Sequence, residues 1–410
     1  MFYLYKFSLN IILNFIVFTL NFFIKRDKNI ILFGSWMGET FSDNSRYLFQ
    51  YMHKSSDKKV IWVTRNNEIL KELNNLGYRA YNIHSLHSYY YHLKSGTHVV
   101  CNVPFKTKSY KGDILGELSL GAKKIQLWHG IPLKGIGRIA KNNDYNRDNT
   151  LLNKIIEIIK SNRFFNNYIK VSGDWNNYCM LATNNRIGEI FSEAFSLSST
   201  NIIISSYPRN CECLELVKSE ELILGKMSDT KKKVLLFVPT FRETNSIIPN
   251  PIQNDNFRKF LKENNVIWVQ KKHMADKKNN IDSFVDIETI MLPETFDLNV
   301  LTPKIDILIT DYSSISFDFI FFNKPVHYYV PDINNYISEE RGFSLDFDDY
   351  TAGWISMNLN ELKKSIEKQL NDKTDITNID KKVQQVKNKV YDNSQPDYFK
   401  IAKDLFGFKR

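Results

Sequence analysis

The strongest constraint on this chain is an alternation repeated along most of its length. A short, mostly apolar run is followed by polar or glycine-rich residues and then by a stretch with helical spacing. Run 29–33 (NIILF) ends in Gly34-Ser35-Trp36, and 59–64 (KVIWVT) precedes a helical pattern over 68–76. A Tyr-rich helical stretch at 85–95 leads to 97–101 (THVVC), and 124–128 (KIQLW) runs into His129-Gly130. Run 168–172 (YIKVS) is followed by an expected helix near 174–182, and 201–205 (NIIIS) by Tyr207-Pro208-Arg209-Asn210. After a helix and a lysine-rich link the pattern restarts with 233–238 (KVLLFV), 266–270 (VIWVQ), 305–310 (IDILIT) and 325–330 (PVHYYV). Short strands that are apolar throughout are covered on both faces, and helical connections between them make the sheet parallel. The expected class is α/β, with two Rossmann-type doubly wound domains at 29–213 and 233–380 and a linker at 214–232. C-terminal helices over 381–410 are expected to pack back across both. A chain of 410 residues has the length for this.

Ahead of the first strand, residues 7–24 (FSLNIILNFIVFTLNFFI) carry no charge and are followed by Lys25, Arg26 and Lys28. On a helix, Lys6, Asn10, Asn14, Asn21 and Lys25 fall within an arc of roughly 100°. The rest of the surface is Ile, Leu, Phe and Val apart from Ser8 and Thr19. That pattern fits a helix lying in a membrane interface at least as well as one crossing it. Residues 1–28 are therefore expected to associate with a membrane, the body of the protein lying on the basic, cytoplasmic side. No small-residue cleavage site follows, so the segment is not expected to be removed.

The net charge of +10 is unevenly spread: 26 Lys/Arg against 14 Asp/Glu over residues 1–200, and 29 against 31 over 201–410. The first half is thus expected to face something anionic. No basic stripe interleaved with aromatics and no helix-turn-helix pattern accompanies it, so nucleic acid is not expected as a partner. Four cysteines make no disulfide framework, and Cys211/Cys213 lack partners at zinc spacing.

The polar motifs share one placement, just beyond the C-terminal end of an expected strand, where open α/β sheets bind ligands. In 128–134 (WHGIPLK), His129 sits beside Gly130, and an imidazole titrating near neutrality can take a proton from a hydroxyl. In 310–314 (TDYSS), Asp311, Ser313 and Ser314 open a helix expected over 315–322, with Asp318 one turn in. Serine and aspartate there are ordinary caps, but strand, turn and helix in this order also suit a phosphate. Asp318 fits either a ribose contact or a solvated helix position. Arg242 in 239–242 (PTFR) and His273 in 271–273 (KKH) end two strands of the second half. A guanidinium there can grip phosphate in bidentate fashion, and a protonated imidazole can stabilise a leaving phosphate. Arg341-Gly342-Phe343 comes last. Walker, dinucleotide-fingerprint, H-E-x-x-H and G-x-S-x-G motifs are all missing from the sequence. No metal site is expected, although assistance by a divalent cation stays open.

Taken in order, WHGIPLK, 206–210 (SYPRN), PTFR, His273, 310–318 (TDYSSISFD), Lys324-Pro325 and 336–346 (YISEERGFSLD) resemble the CDP-glycerol glycerophosphotransferase family of teichoic acid and capsule assembly. The resemblance spans about 120–350, and the chain is similar in size to the primase-like members. It implies a GT-B-like pair of Rossmann-type domains, an acceptor-side domain first and a CDP-donor domain second. A hydroxyl of a lipid-linked glycan or glycerophosphate acceptor would attack the β-phosphorus of CDP-glycerol and release CMP. On this likeness His129 is the general base, and His273, Arg242, Ser313 and Ser314 form the pyrophosphate clamp. Asp311 and Asp318 neighbour the clamp, and Gly130, Lys134, Arg209 and Arg341 join as substrate-binding positions. The family often has proline after the second histidine and tryptophan before the arginine; here Met274 and Phe241 stand there. CDP-ribitol or another CDP-alditol is the alternative donor, and a GT-B glycosyltransferase using a nucleotide sugar the alternative enzyme.

Overall fold

The computed structural model describes residues 16, 19–20, 23–102, 112–119, 121–141, 178–228, 231–240, 248–271, 287–340, 342–371, 376–392 and 395–407. Two units divide the chain. One comprises Met1–His129, Asp144–Val217 and Ser394–Arg410; the other comprises Gly130–Asn143 and Lys218–Asn393.

The first unit is built on β1 (Asp27–Phe33), β2 (Lys59–Thr64), β3 (Ala80–Asn82), β4 (Ser95–Val100), β5 (Lys123–Gln126), β6 (Tyr178–Ala182) and β7 (Ile202–Ile204). They form a parallel sheet in the order β3-β2-β1-β4-β5-β6-β7. The second unit has β8 (Lys233–Val238), β9 (Val266–Lys271), β10 (Thr289–Leu292), β11 (Ile307–Thr310), β12 (Val326–Tyr329) and β13 (Trp354–Ser356). Its order is β10-β9-β8-β11-β12-β13, again parallel throughout. Each order reverses beside its own first strand, at β1/β4 and at β8/β11, which is the doubly wound Rossmann arrangement with its switch point. The expected fold class is borne out.

Side chains explain why these runs are strands. Ile31, Leu32, Phe33, Val60, Ile61, Trp62 and Val63 are all at most 1 % exposed, as residues covered on both faces of a sheet must be. In the second unit Leu235, Trp268, Ile307 and Ile309 pack with Phe257, Phe260 and Leu261 of the helix Asp255–Glu263. Helix starts are capped by short polar side chains. Asn66 accepts from Glu68 N and Ile69 N, Asn184 from Ile187 N, and Asn254 from Phe257 N. Each such cap is worth about 1 kcal/mol.

The helix expected near 174–182 is not there: Tyr178–Ala182 is β6, paired on both sides by β5 and β7. An apolar pentapeptide carries no periodicity that separates a doubly covered strand from a buried helical turn. The run at 168–172 lies outside the described residues, as does nearly all of 7–24. The C-terminal helices divide between the two units. The helix Ile376–Val390 packs on Ile315–Phe321 of the second unit, whereas Tyr398–Phe406 packs on Asp43–Ser55 and β7 of the first. Tyr398 stacks on Tyr51 at 5.1 Å, and Ser205 Oγ donates to Asp404 Oδ2 at 2.8 Å.

Candidate active site

At the C-terminal edge of the first sheet, the residues following β1, β4 and β5 meet the start of the helix Asp43–Ser55. Gly34, directly after β1, lies so close to the Asp113 backbone that an added Cβ would sit 2.2 Å from its carbonyl oxygen. Only glycine fits a chain crossing of that kind. His129 follows β5. Its Nδ1 lies 3.0 Å from the carbonyl oxygen of Cys101, which follows β4. A carbonyl can only accept, so Nδ1 carries the proton and neutral His129 presents a bare lone pair at Nε2. Trp128 stacks on the ring at 4.2 Å, and Trp36 lies against it at 5.1 Å.

Around the histidine runs a buried polar frame. Asp43 accepts from Trp36 Nε1 at 3.0 Å and from Arg209 Nη1 at 2.8 Å, and both members of this ion pair are buried. Asn44 donates to the Leu127 and Trp128 carbonyls at 3.2 and 2.9 Å and accepts from Arg209 N at 3.2 Å. Asp43, Asn44 and Arg209 thus tie the backbone just before the histidine to the start of the helix Asp43–Ser55 and to the segment at Arg209. Asp113, 1 % exposed, accepts from Met37 N at 2.7 Å, Cys101 N at 2.9 Å and Asn102 N at 2.6 Å. It therefore holds the residue whose carbonyl orients His129. Among the described residues, four of seven non-glycine positive-φ positions gather here: Trp36 (40°), Met37 (60°), Asp43 (63°) and Trp128 (59°). Such backbones cost about 1–3 kcal/mol each and cluster at functional sites.

Electrostatics follow from burial. Desolvation pulls the His129 pKa below its ordinary value, with Asp43 and the Cys101 carbonyl opposing and Arg209 assisting. Burial also pushes Asp113 up to about 6, against the pull of its three backbone donors. The Cys101 thiol is held well above its usual range, again by burial first, which leaves it an inert packing group.

In the second unit, Thr240 beyond the end of β8 donates to Asp311 at the end of β11. Its N–H reaches both carboxylate oxygens at 2.9 Å and its hydroxyl reaches Oδ1 at 2.6 Å. Asp311 is fully buried and pins the backbone just beyond the end of β8. Ser313 and Ser314 are half-buried at the start of the helix Ile315–Phe321, and the Ser314 side chain makes no capping bond. Asp318 is 3 % exposed, which excludes a solvated helix position. Tyr312 stacks on Tyr336 at 3.9 Å and donates to Asp332 at 3.0 Å.

Two motifs far apart in sequence are joined in this unit. Lys134 bridges Phe343 in antiparallel fashion, Gly135 N donates to Gly342 O at 2.8 Å, and Ser344 N donates to Leu133 O at 2.9 Å. Gly130, directly after the histidine, has φ 142°, a conformation closed to ordinary side chains. Arg242, His273 and Arg341 lie outside the described residues. Sequence reasoning misses Asp43, Asn44, Trp36 and Asp113; the only signal is their position after β1 and before β5. Among the described residues, no group of three or more His, Cys, Asp or Glu could hold a metal ion.

A family model described as CDP-Glycerol:Poly(glycerophosphate) glycerophosphotransferase matches residues 16–396. The chain belongs to this family. It is an enzyme of the transferase class. Among its relatives, a teichoic acid poly(glycerol phosphate) polymerase of Bacillus spizizenii is 26% identical over 88% of this chain and 88% of its own length. A teichoic acid glycerol-phosphate transferase of Staphylococcus aureus is 28% identical over 81% of this chain and 82% of its own. The fold is shared with the wall teichoic acid polymerase TagF, at a TM-score of 0.67 and 20% identity, covering 93% of this chain and 89% of that one.

Proposed function

We propose that this enzyme transfers glycerol phosphate from CDP-glycerol to a hydroxyl of a membrane-linked acceptor, releasing CMP, in the synthesis of a teichoic acid-like polymer. The observation that carries the reading is His129, a half-buried imidazole held by the Cys101 carbonyl with Nε2 left to accept a proton. In the proposed step the acceptor oxygen forms a bond to the β-phosphorus and its proton passes to Nε2 of His129. The bond from that phosphorus to the bridging oxygen breaks, and CMP departs with the electron pair. His273, Arg242, Ser313 and Ser314 would balance charge on the pyrophosphate, and Asp311 would fix Thr240, two residues before Arg242 in the sequence. In-line transfer of this kind depends on placement and charge stabilisation more than on covalent chemistry. The enzyme would work at the cytoplasmic face of the membrane, as a peripheral or monotopic protein. Among the described residues no helix is long and apolar enough to cross a membrane.

A donor panel tests this reading. With CDP-glycerol, CDP-ribitol and a UDP-sugar offered beside a lipid-linked acceptor, CMP is expected from CDP-glycerol, with glycerol phosphate appearing in the product. CMP from CDP-ribitol alone would move the assignment to another alditol. UDP from the sugar donor, with no CMP from either alditol, would sink it.

A further inference from the structure

The helix Leu86–Lys94, which connects β3 to β4, is amphipathic the wrong way round for a soluble domain. It buries Ser88, Tyr91 and His92 against the unit, the serine and histidine fully. Its outer face carries Leu86 at 84 % exposed, Tyr89 at 38 % and Tyr90 at 51 %. With half-buried Leu93, these positions follow the i, i+3, i+4, i+7 spacing of a single helical stripe. Exposed apolar side chains scattered singly are ordinary; a continuous stripe of them marks a contact surface.

Two further observations identify the partner. The apolar segment 7–24 ends two residues before Arg26 in the sequence. Arg26 donates to the carbonyls of His92, Ser95 and Leu118, so its guanidinium caps the C-terminal end of Leu86–Lys94. Phe23, 82 % exposed, lies three residues earlier and hence within about 10 Å of chain. Charge points the same way. Residues 73–112 contain Arg79, Lys94, Lys106, Lys108 and Lys111 and no carboxylate, and Lys25 and Lys28 flank the clamp in sequence. Asp27, the acid between them, accepts from Asn29 N at 2.8 Å. Tyrosines with leucine, in a stretch of sequence that carries lysines and no carboxylate, match the interfacial zone of an anionic bilayer, where the rings sit at headgroup level.

We infer that the outer face of Leu86–Lys94 is a second membrane-contact surface, which seats the first unit on anionic phospholipid. The inference rests on the peripheral-membrane reading and adds to it a surface on the folded domain. The C-terminal end of this helix is held by the partly buried Arg26 guanidinium, so the surface fixes orientation as well as attachment.

Co-sedimentation of the full chain with phosphatidylglycerol/phosphatidylcholine vesicles tests it, with pure phosphatidylcholine as the comparison. The triple variant Leu86→Ser, Tyr89→Ser, Tyr90→Ser is expected to bind anionic vesicles about tenfold or more weakly, as loss of that much apolar burial requires. Its release of CMP with a soluble acceptor is expected to stay unchanged. A Tyr90→Trp variant is expected to show added fluorescence that brominated acyl chains quench. Triple-variant binding within about twofold of the parent overturns the inference, as does a Tyr90→Trp fluorescence gain indifferent to brominated lipid. A parent dimer that the triple variant dissociates, with vesicle binding unchanged, overturns it in favour of self-association. Failure of the functional reading looks different: vesicle binding responds as expected while no CDP-alditol yields CMP.

Discussion

His129 is oriented by a bond that also fixes its tautomer, so its proton-accepting nitrogen is chosen by Cys101 before any substrate arrives. Because burial lowers its pKa, the neutral, basic form dominates at and above the ordinary imidazole value. The acid limb of a kcat/KM profile is accordingly expected below about pH 6.5. A limb above that value would contradict the burial argument. Asp113 acts one step back, through the Cys101 backbone. In Asp113→Asn the amide keeps one acceptor but turns N–H groups toward backbone donors. The expected result is a lower kcat with donor KM nearly unchanged, and a shift in the acid limb that a merely structural role would not produce. Asp43→Ala leaves the Arg209 guanidinium buried without that counter-charge. Breaking such a pair costs about 3–5 kcal/mol, measurable as a drop in the urea midpoint.

At the scale of elements, much is legible because apolar runs, turns and caps are local. Run 233–238 is β8 residue for residue, and the Tyr-rich stretch is the helix Leu86–Lys94. The short strands β3, β10 and β13 escape a reading of the sequence, since Ala80–Asn82 and Trp354–Ser356 are too brief to show alternation. β6 reads as helix because its residues are apolar without period. The site divides in the same way. His129, Asp311 and the serines are readable from strand-end placement, but the frame around His129 is not. Asp43 and Arg209 are 166 positions apart, and Lys134 pairs with a residue as distant as Phe343, so neither contact leaves a local pattern. Gly34 shows how a crossing of two distant segments constrains one residue. Gly34→Ala must displace the Asp113 backbone, and such overpacking typically costs about 1–3 kcal/mol. The variant is expected to melt earlier and to lose activity beyond its loss of folded protein.

For the molecule as a whole, the buried histidines set the response to acid. Burial holds His92 at about 4 and His327 at about 3, with His98 also well below its ordinary value. Groups depressed on folding favour the native state above the unfolded pKa and withdraw that support as pH falls toward the folded one. Asp113, raised to about 6, acts in the opposite sense, stabilising below its unfolded value and losing that contribution as pH rises through 6. Three histidines outweigh one carboxyl, so the thermal midpoint is expected to fall steadily from about pH 6.5 toward about 4. A midpoint that rises over this range would reverse the assignment. On the proposed membrane contact, the basic excess of the first half acts around Lys25, Lys28 and the exposed tyrosines. What joins these scales is one claim: a neutral His129 takes the acceptor proton as glycerol phosphate leaves CMP. The most direct measurement is CMP release from CDP-glycerol by His129→Ala, made on protein whose melting curve matches the parent. A loss of about 10²–10⁴-fold is expected; near-parental release would contradict a proton-accepting role for His129.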